Sequence, residues 1–119
     1  MQKEFSRSER VGVQLQRELA QLVREEVRDP RVGNVTICDV RVSRDLSVAR
    51  VFVSALGADR AAAEGAVEGL NHAAGFLRGQ LGRRLHVRTV PALQFEYDET
   101  LDEGARLSAL IDDALSGRN

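Results

Sequence analysis

Asn71-His72-Ala73-Ala74-Gly75-Phe76-Leu77-Arg78-Gly79-Gln80-Leu81-Gly82-Arg83-Arg84 is a helical pattern, broken by glycines, that turns abruptly basic. Ala63, Ala66, Val67, Leu70, Ala73 and Ala74 recur at helical spacing. Gly75 then removes a side chain, which lets the backbone turn or be approached closely. From Arg78 to Arg88 there are four arginines and no acid. A break between two helices, lined by small residues and followed by uncompensated positive charge, suits a backbone that must meet a phosphate chain. The same glycines, at about 1 kcal/mol each relative to alanine, also serve simply to end a helix or to let helices pack. The first reading favours an RNA partner and the second is purely structural.

Working outward, the pattern before this break predicts a long first helix over Arg7 to Arg28. Ser6 and Glu9 make a capping box at its start, and Asp29-Pro30 ends it. Val11, Leu15, Leu19, Leu22 and Val23 fall on one side at about 100° per residue. Arg10, Gln14, Arg17, Gln21, Arg24 and Arg28 fall within an arc of roughly 80° on the other. The acids Glu9, Glu18, Glu25 and Asp29 lie on the flanks. They could pair with the arginines, which would make this an ordinary solvated face, or leave them as a ridge for phosphates with Gln14 and Gln21 donating between them.

Val35 to Ser43 and Leu46 to Ala55 read as two strands joined by a hairpin at Arg44-Asp45. Ala49, Val51, Val53 and Ala55 share one face, matched by Cys38, Val40 and Val42, which makes Cys38 a buried small hydrophobe. Asp59 is a good N-cap for the alanine-rich helix. A short helix near Phe76 to Arg84 brings Phe76, Leu77 and Leu81 inward. Leu93, Phe95 and Tyr97 mark a last strand, and Thr100-Leu101-Asp102-Glu103 caps a final helix, about 101–115, with an apolar stripe of Leu107, Leu110, Ile111 and Ala114. The order α-β-β-α-α-β-α predicts an α+β fold in which helices cover one face of a small three-stranded sheet. At 119 residues and 43% hydrophobic content, one domain over 1–119 is expected, with a core of about 6–97.

The formal charge of -1 conceals an uneven distribution. Residues 1–95 hold 15 Lys/Arg against 11 Asp/Glu, a net of +4, and residues 96–119 hold 2 against 7, a net of -5. Local field, not the total, governs a phosphate contact. One cysteine cannot form an internal disulfide and fits a reducing cytosol. No run approaches the roughly 18 apolar residues of a membrane span, and the polar start is unlike a signal peptide. A cytoplasmic location is expected.

Catalysis finds little material. His72 and His86, the two histidines, do not combine with Cys38 in a zinc spacing. Asp98, Glu99, Asp102 and Glu103 cluster where capping and the helix dipole explain them. The glycines match neither a dinucleotide loop nor a phosphate loop. No catalytic residue, metal, cofactor or small-molecule substrate is expected.

Several stretches, in this order and spacing, resemble a known family: Arg7 and Arg10, Val27-Arg28-Asp29-Pro30-Arg31, Val42 through Ser54, Ala73-Ala74-Gly75-Phe76-Leu77-Arg78, and Val90 through Asp98. The chain resembles the bacterial ribosome-binding factor A family over nearly all of residues 3–111. The order of elements resembles a KH-like domain of type II topology. KH domains commonly clamp a nucleic-acid backbone with a GxxG loop between the central helices. The family has an Ala-x-Gly kink there, matched by Ala73-Ala74-Gly75. The resemblance implies a non-enzymatic, monomeric, cytoplasmic assembly factor. It would bind the small (30S) ribosomal subunit and 16S rRNA, assist late maturation and 5′-end processing, and matter especially in the cold. Some relatives carry a longer basic tail, whereas this sequence closes on an acidic stretch.

The predicted RNA-binding set is Arg7, Arg10, Arg17, Arg24 and Arg28 with the kink residues Ala73 and Gly75 and the following Arg78, Arg83, Arg84 and Arg88. Few aromatics are placed for base stacking, Phe52 excepted, so recognition by shape and charge is expected. The alternative is a protein-interaction module docking through the sheet face with Val48 and Phe52, or through the last helix.

Overall fold

The computed structural model describes residues 6–33, 35–55, 57–85 and 89–98. Its order is α1 (Arg7–Glu26), β1 (Thr36–Val42), β2 (Val48–Ser54), α2 (Arg60–His72), α3 (Ala74–Leu85) and β3 (Ala92–Tyr97). This is the expected α-β-β-α-α-β order of an α+β fold with a three-stranded sheet. The final helix expected over about 101–115, together with His86 and Arg88, lies outside the described residues.

The sheet order is β1-β2-β3. β1 pairs antiparallel with β2, and β2 pairs parallel with β3. A parallel neighbour cannot be reached through a tight turn, so α2 and α3 form the crossover. The helices supply Leu15, Leu19, Leu22, Leu70, Leu77 and Leu81 to one core over Ile37, Val40, Ala49, Val51, Val53, Leu93 and Phe95. The other face of the sheet, with Arg41, Val48, Arg50, Phe52 and Glu96, is covered by no described helix.

α1 starts as its capping box predicts: Ser6 Oγ accepts from Glu9 N–H, and Glu9 Oε1 accepts from Ser6 N–H. It stops two residues earlier than expected, at Glu26, because Val27 is extended (φ -84, ψ 120). Val32 is thereby turned into the core, Asp29 precedes proline, which disfavours helix, and its carboxylate folds onto Arg31 N–H at 2.9 Å. Arg28 is consequently a loop residue and not the last member of the helical stripe.

β1 departs from strict alternation. Its pairing with β2 shifts between Ile37 and Asp39, which makes Cys38 the extra residue of a bulge. Ile37 takes the core position expected for Cys38, and Cys38 is only half-buried, with Sγ against Thr36 C=O at 3.6 Å. The hairpin is also longer than two residues. Asp45 accepts from Ser43 Oγ, Ser47 Oγ and Ser47 N–H, and Leu46 sits in the left-handed region at φ 63. This widens the connection to Ser43–Ser47.

The break between α2 and α3 falls at Ala73, not at Gly75. Ala73 (φ -88, ψ 0) ends α2, and its own carbonyl accepts from Leu77 N–H at 2.9 Å, which starts α3 at once. Gly75 lies in the first turn of α3 without positive φ, and a Cβ there would touch nothing within 4 Å. Starting α3 at Ala74 also sets its phase. Leu77 and Leu81 are fully buried, while Phe76, about 100° round the helix from Leu77, is 50% exposed and not in the core as expected.

Candidate nucleic-acid interface

α1 lies against the sheet with Leu15, Leu19 and Leu22 inward, which leaves Arg10, Arg17 and Arg24 exposed on its outer side. These recur every seven residues, two helical turns, so they stand roughly 10 Å apart. None of Arg7, Arg10, Arg17, Arg24 or Arg28 has an ion pair with a described residue.

The reason lies with the acids. Glu9 is engaged by the N-cap, Asp29 by Arg31 at 2.7 Å, and Glu18 and Glu25 by Arg84, which reaches across from α3 to bond them at 3.5 and 3.2 Å. Glu25 also accepts from Gln21 at 3.2 Å, and the hydrogen bonds from Gln21 and Arg84 hold its carboxyl below the usual glutamate range. Glu25 also feels the charge of Arg24, but none of these flanking carboxylates forms an ion pair with a ridge arginine. The same contacts remove Gln21 from the donors expected to face a phosphate; Gln14 is exposed beside Arg7 and Val11.

The second predicted set is placed differently. α2 ends beside the α1–β1 loop, where a Cβ on Gly69 would come within 3.0 Å of Asp29 Oδ2. α3 ends near Arg7 and Val11, so it runs back alongside α1. The two arginine sets thus belong to one helical layer. Arg84 is committed to Glu18 and Glu25, Arg78 donates through Nε to the Val90 carbonyl at 2.8 Å, and Arg88 lies outside the described residues. Arg83 is exposed and free of described acids. Ala73 is half-buried, and Gly75 and Phe76 are exposed beside it. Phe76 is an exposed aromatic that hydrophobic periodicity alone assigned to the core.

Phe52, a partly exposed aromatic, lies on the open sheet face with the guanidiniums of Arg50 and Arg41 at 5.1 and 5.9 Å from its ring. Both cations are balanced there. Arg50 is bidentate to Glu96 at 2.7 and 2.8 Å, and Arg41 meets Asp39 at 3.1 Å. Among the described residues no group of three His, Cys, Asp or Glu could hold a metal ion, and no helix is long and apolar enough to cross a membrane.

The family model for ribosome-binding factor A matches residues 7–111. A relative of that name from Thioalkalivibrio sulfidiphilus is 58% identical over 116 residues, 98% of this chain and 89% of its own length. One from Pseudomonas fluorescens Pf0-1 is 53% identical over 120 residues, 100% of this chain and 90% of its own length. The crystal structure of ribosome-binding factor A from Thermus thermophilus superposes with a TM-score of 0.66 at 34% identity, covering 77% of this chain and 97% of that one. A homology model of the Thermus thermophilus factor, fitted into a cryo-EM map of its 30S complex, gives a TM-score of 0.60 at 35% identity over 71% of this chain and 88% of its own. With the family match spanning most of its length and relatives more than half identical, the chain belongs to the ribosome-binding factor A family.

Proposed function

We propose that this chain is a non-catalytic, monomeric assembly factor of the cytoplasm, acting as a single domain. It binds the small ribosomal subunit through 16S rRNA and assists late maturation, including processing at the 5′ end. The observation that carries the reading is the α1 ridge: Arg10, Arg17 and Arg24 stand exposed without an ion pair to a described residue, while Glu18 and Glu25 are bonded by Arg84 and Glu9 by the N-cap. The relative fitted into a 30S complex supports the same partner. Arg7 at the start of α1 and Arg28 in the loop after it add charge beyond the ridge, Arg83 adds charge from α3, and the exposed Gly75 in the first turn of α3, beside half-buried Ala73, admits a sugar-phosphate backbone. Such a protein acts by binding one rRNA conformation more tightly than its competitors, which shifts the folding equilibrium without a covalent step.

The rival, a protein docked on the open sheet face, meets a surface whose arginines are already paired with Asp39 and Glu96. Binding to purified small subunits at rising salt separates the two. Phosphate contacts make affinity fall steeply with log salt, and alanine at Arg10, Arg17 and Arg24 should flatten that slope by about one unit per residue. A salt-insensitive association, unaffected by these changes but abolished at Phe52, would transfer the function to the sheet face.

A further inference from the structure

At the C-terminal end of α1 the ridge runs into an open hollow of about 540 Å³. Its apolar lining includes Val27, Pro30 and Val35, and Arg24, Arg28 and Thr36 stand around it. That volume is within the roughly 300–1,000 Å³ of small-ligand sites. Neither arginine has a described ion pair, and Asp29, itself part of the lining, is paired with Arg31. A helix also ends here: the Val23 carbonyl still accepts from Val27 N–H at 3.4 Å, and the carbonyls after it have no continuing turn to donate to them. Acceptors at a helix C-terminus disfavour a phosphate and favour an N–H donor. The hollow therefore combines an apolar patch within a mostly polar lining, hydrogen-bond acceptors and two guanidiniums without a described ion pair.

We infer that this hollow takes a single unstacked nucleotide of the RNA strand that follows the ridge. The base lies on the valine and proline surface with its amino edge toward the end of α1, and the flanking phosphates meet Arg24 and Arg28. This rests on the rRNA-binding reading and adds a contribution that shape and charge alone lack, a preference for RNA with an extruded base. Of the residues lining the hollow only Arg24 belongs to the α1 ridge, so the two contributions separate by mutation.

The test uses the full chain and two RNA hairpins, identical except that one carries a single bulged 2-aminopurine, with binding followed by anisotropy. The bulged hairpin should bind severalfold tighter, from burial of one base face on Val27, Pro30 and Val35. Thr36→Trp, at an exposed strand position on the rim, should remove that preference while leaving the plain hairpin unaffected. Arg10→Gln with Arg17→Gln, remote from the hollow, should weaken both hairpins and keep the ratio. Equal affinity for the two hairpins, or a preference that survives Thr36→Trp, overturns the inference and leaves the ridge intact. If the ridge variant changes neither hairpin, the rRNA reading fails and the inference with it. Should the ratio be one while an acidic peptide of residues 99–119 binds in a Thr36→Trp-sensitive way, the hollow belongs to the chain's own C-terminal segment.

Discussion

The carboxamide of Asn71 on α2 pairs with both main-chain groups of Phe95 on β3, accepting its N–H at 2.8 Å and donating to its C=O at 3.0 Å. β3 is an edge strand, and edges offer unpaired groups to other chains. On the opposite edge Gln16 donates to the carbonyls of Ile37 and Cys38 at 3.4 and 3.3 Å. Two helix-borne amides thus cover parts of both edges. Asn71→Ala should lower unfolding stability by about 1–3 kcal/mol in urea titrations. A loss below a few tenths of a kcal/mol would mean that solvent replaces the amide freely.

Gly12 and Gly75 should respond to alanine with opposite signs. A Cβ on Gly12 would sit 2.9 Å from the Val40 carbonyl oxygen, whereas one on Gly75 meets open space. Gly12→Ala forces backbone apart and should destabilise by about 1–3 kcal/mol, overriding alanine's better helix propensity. Gly75→Ala should stabilise by about 0.5–1 kcal/mol and, if an RNA backbone approaches there, weaken small-subunit binding. Thermal unfolding of the two variants checks the signs.

Arg17 and Arg84 should both matter for binding, for different reasons. Arg17→Ala removes a ridge charge and should cut affinity severalfold with a shallower salt slope. Arg84→Ala instead releases Glu18 and Glu25 beside the ridge. Adding Glu18→Gln and Glu25→Gln to Arg84→Ala should restore affinity. No restoration would make Arg84 itself a phosphate contact.

Acid should loosen the α1–β1 loop. The Arg31 side chain and its N–H, both bonded to the Asp29 carboxylate, hold that group down to about 2. The folded group is thus the stronger acid, so the unfolded chain takes up the proton first. The stabilisation is complete above the ordinary aspartate value near 3.9 and is lost as the pH falls from there through about 2. Glu96 beside Arg50 and Asp45 beside Ser47 and Ser43 are shifted the same way. Urea midpoints measured down through this window should fall less steeply for Asp29→Asn than for the unmodified chain. Parallel curves would remove Asp29 from the acid response.

The sequence by itself determined what is local or periodic. The capping box at Ser6 and Glu9, the Asp59 cap, the apolar stripe from Leu15 to Val23, the alternation of Ala49, Val51 and Val53, and the order of the six described elements were all legible, because each is a relation among residues a few positions apart. Only the tertiary structure decided which charges are free. Glu18 and Glu25 flank Arg17 and Arg24 in sequence, yet they are drawn off by Arg84, 66 and 59 positions away. The same holds for the bulge at Cys38, fixed by pairing with β2, and for Phe76, whose exposure follows from where α3 begins against the sheet. Helical geometry places a guanidinium on a face, but its availability to a phosphate depends on every carboxylate that packing brings within reach, and a one-dimensional pattern carries no record of those.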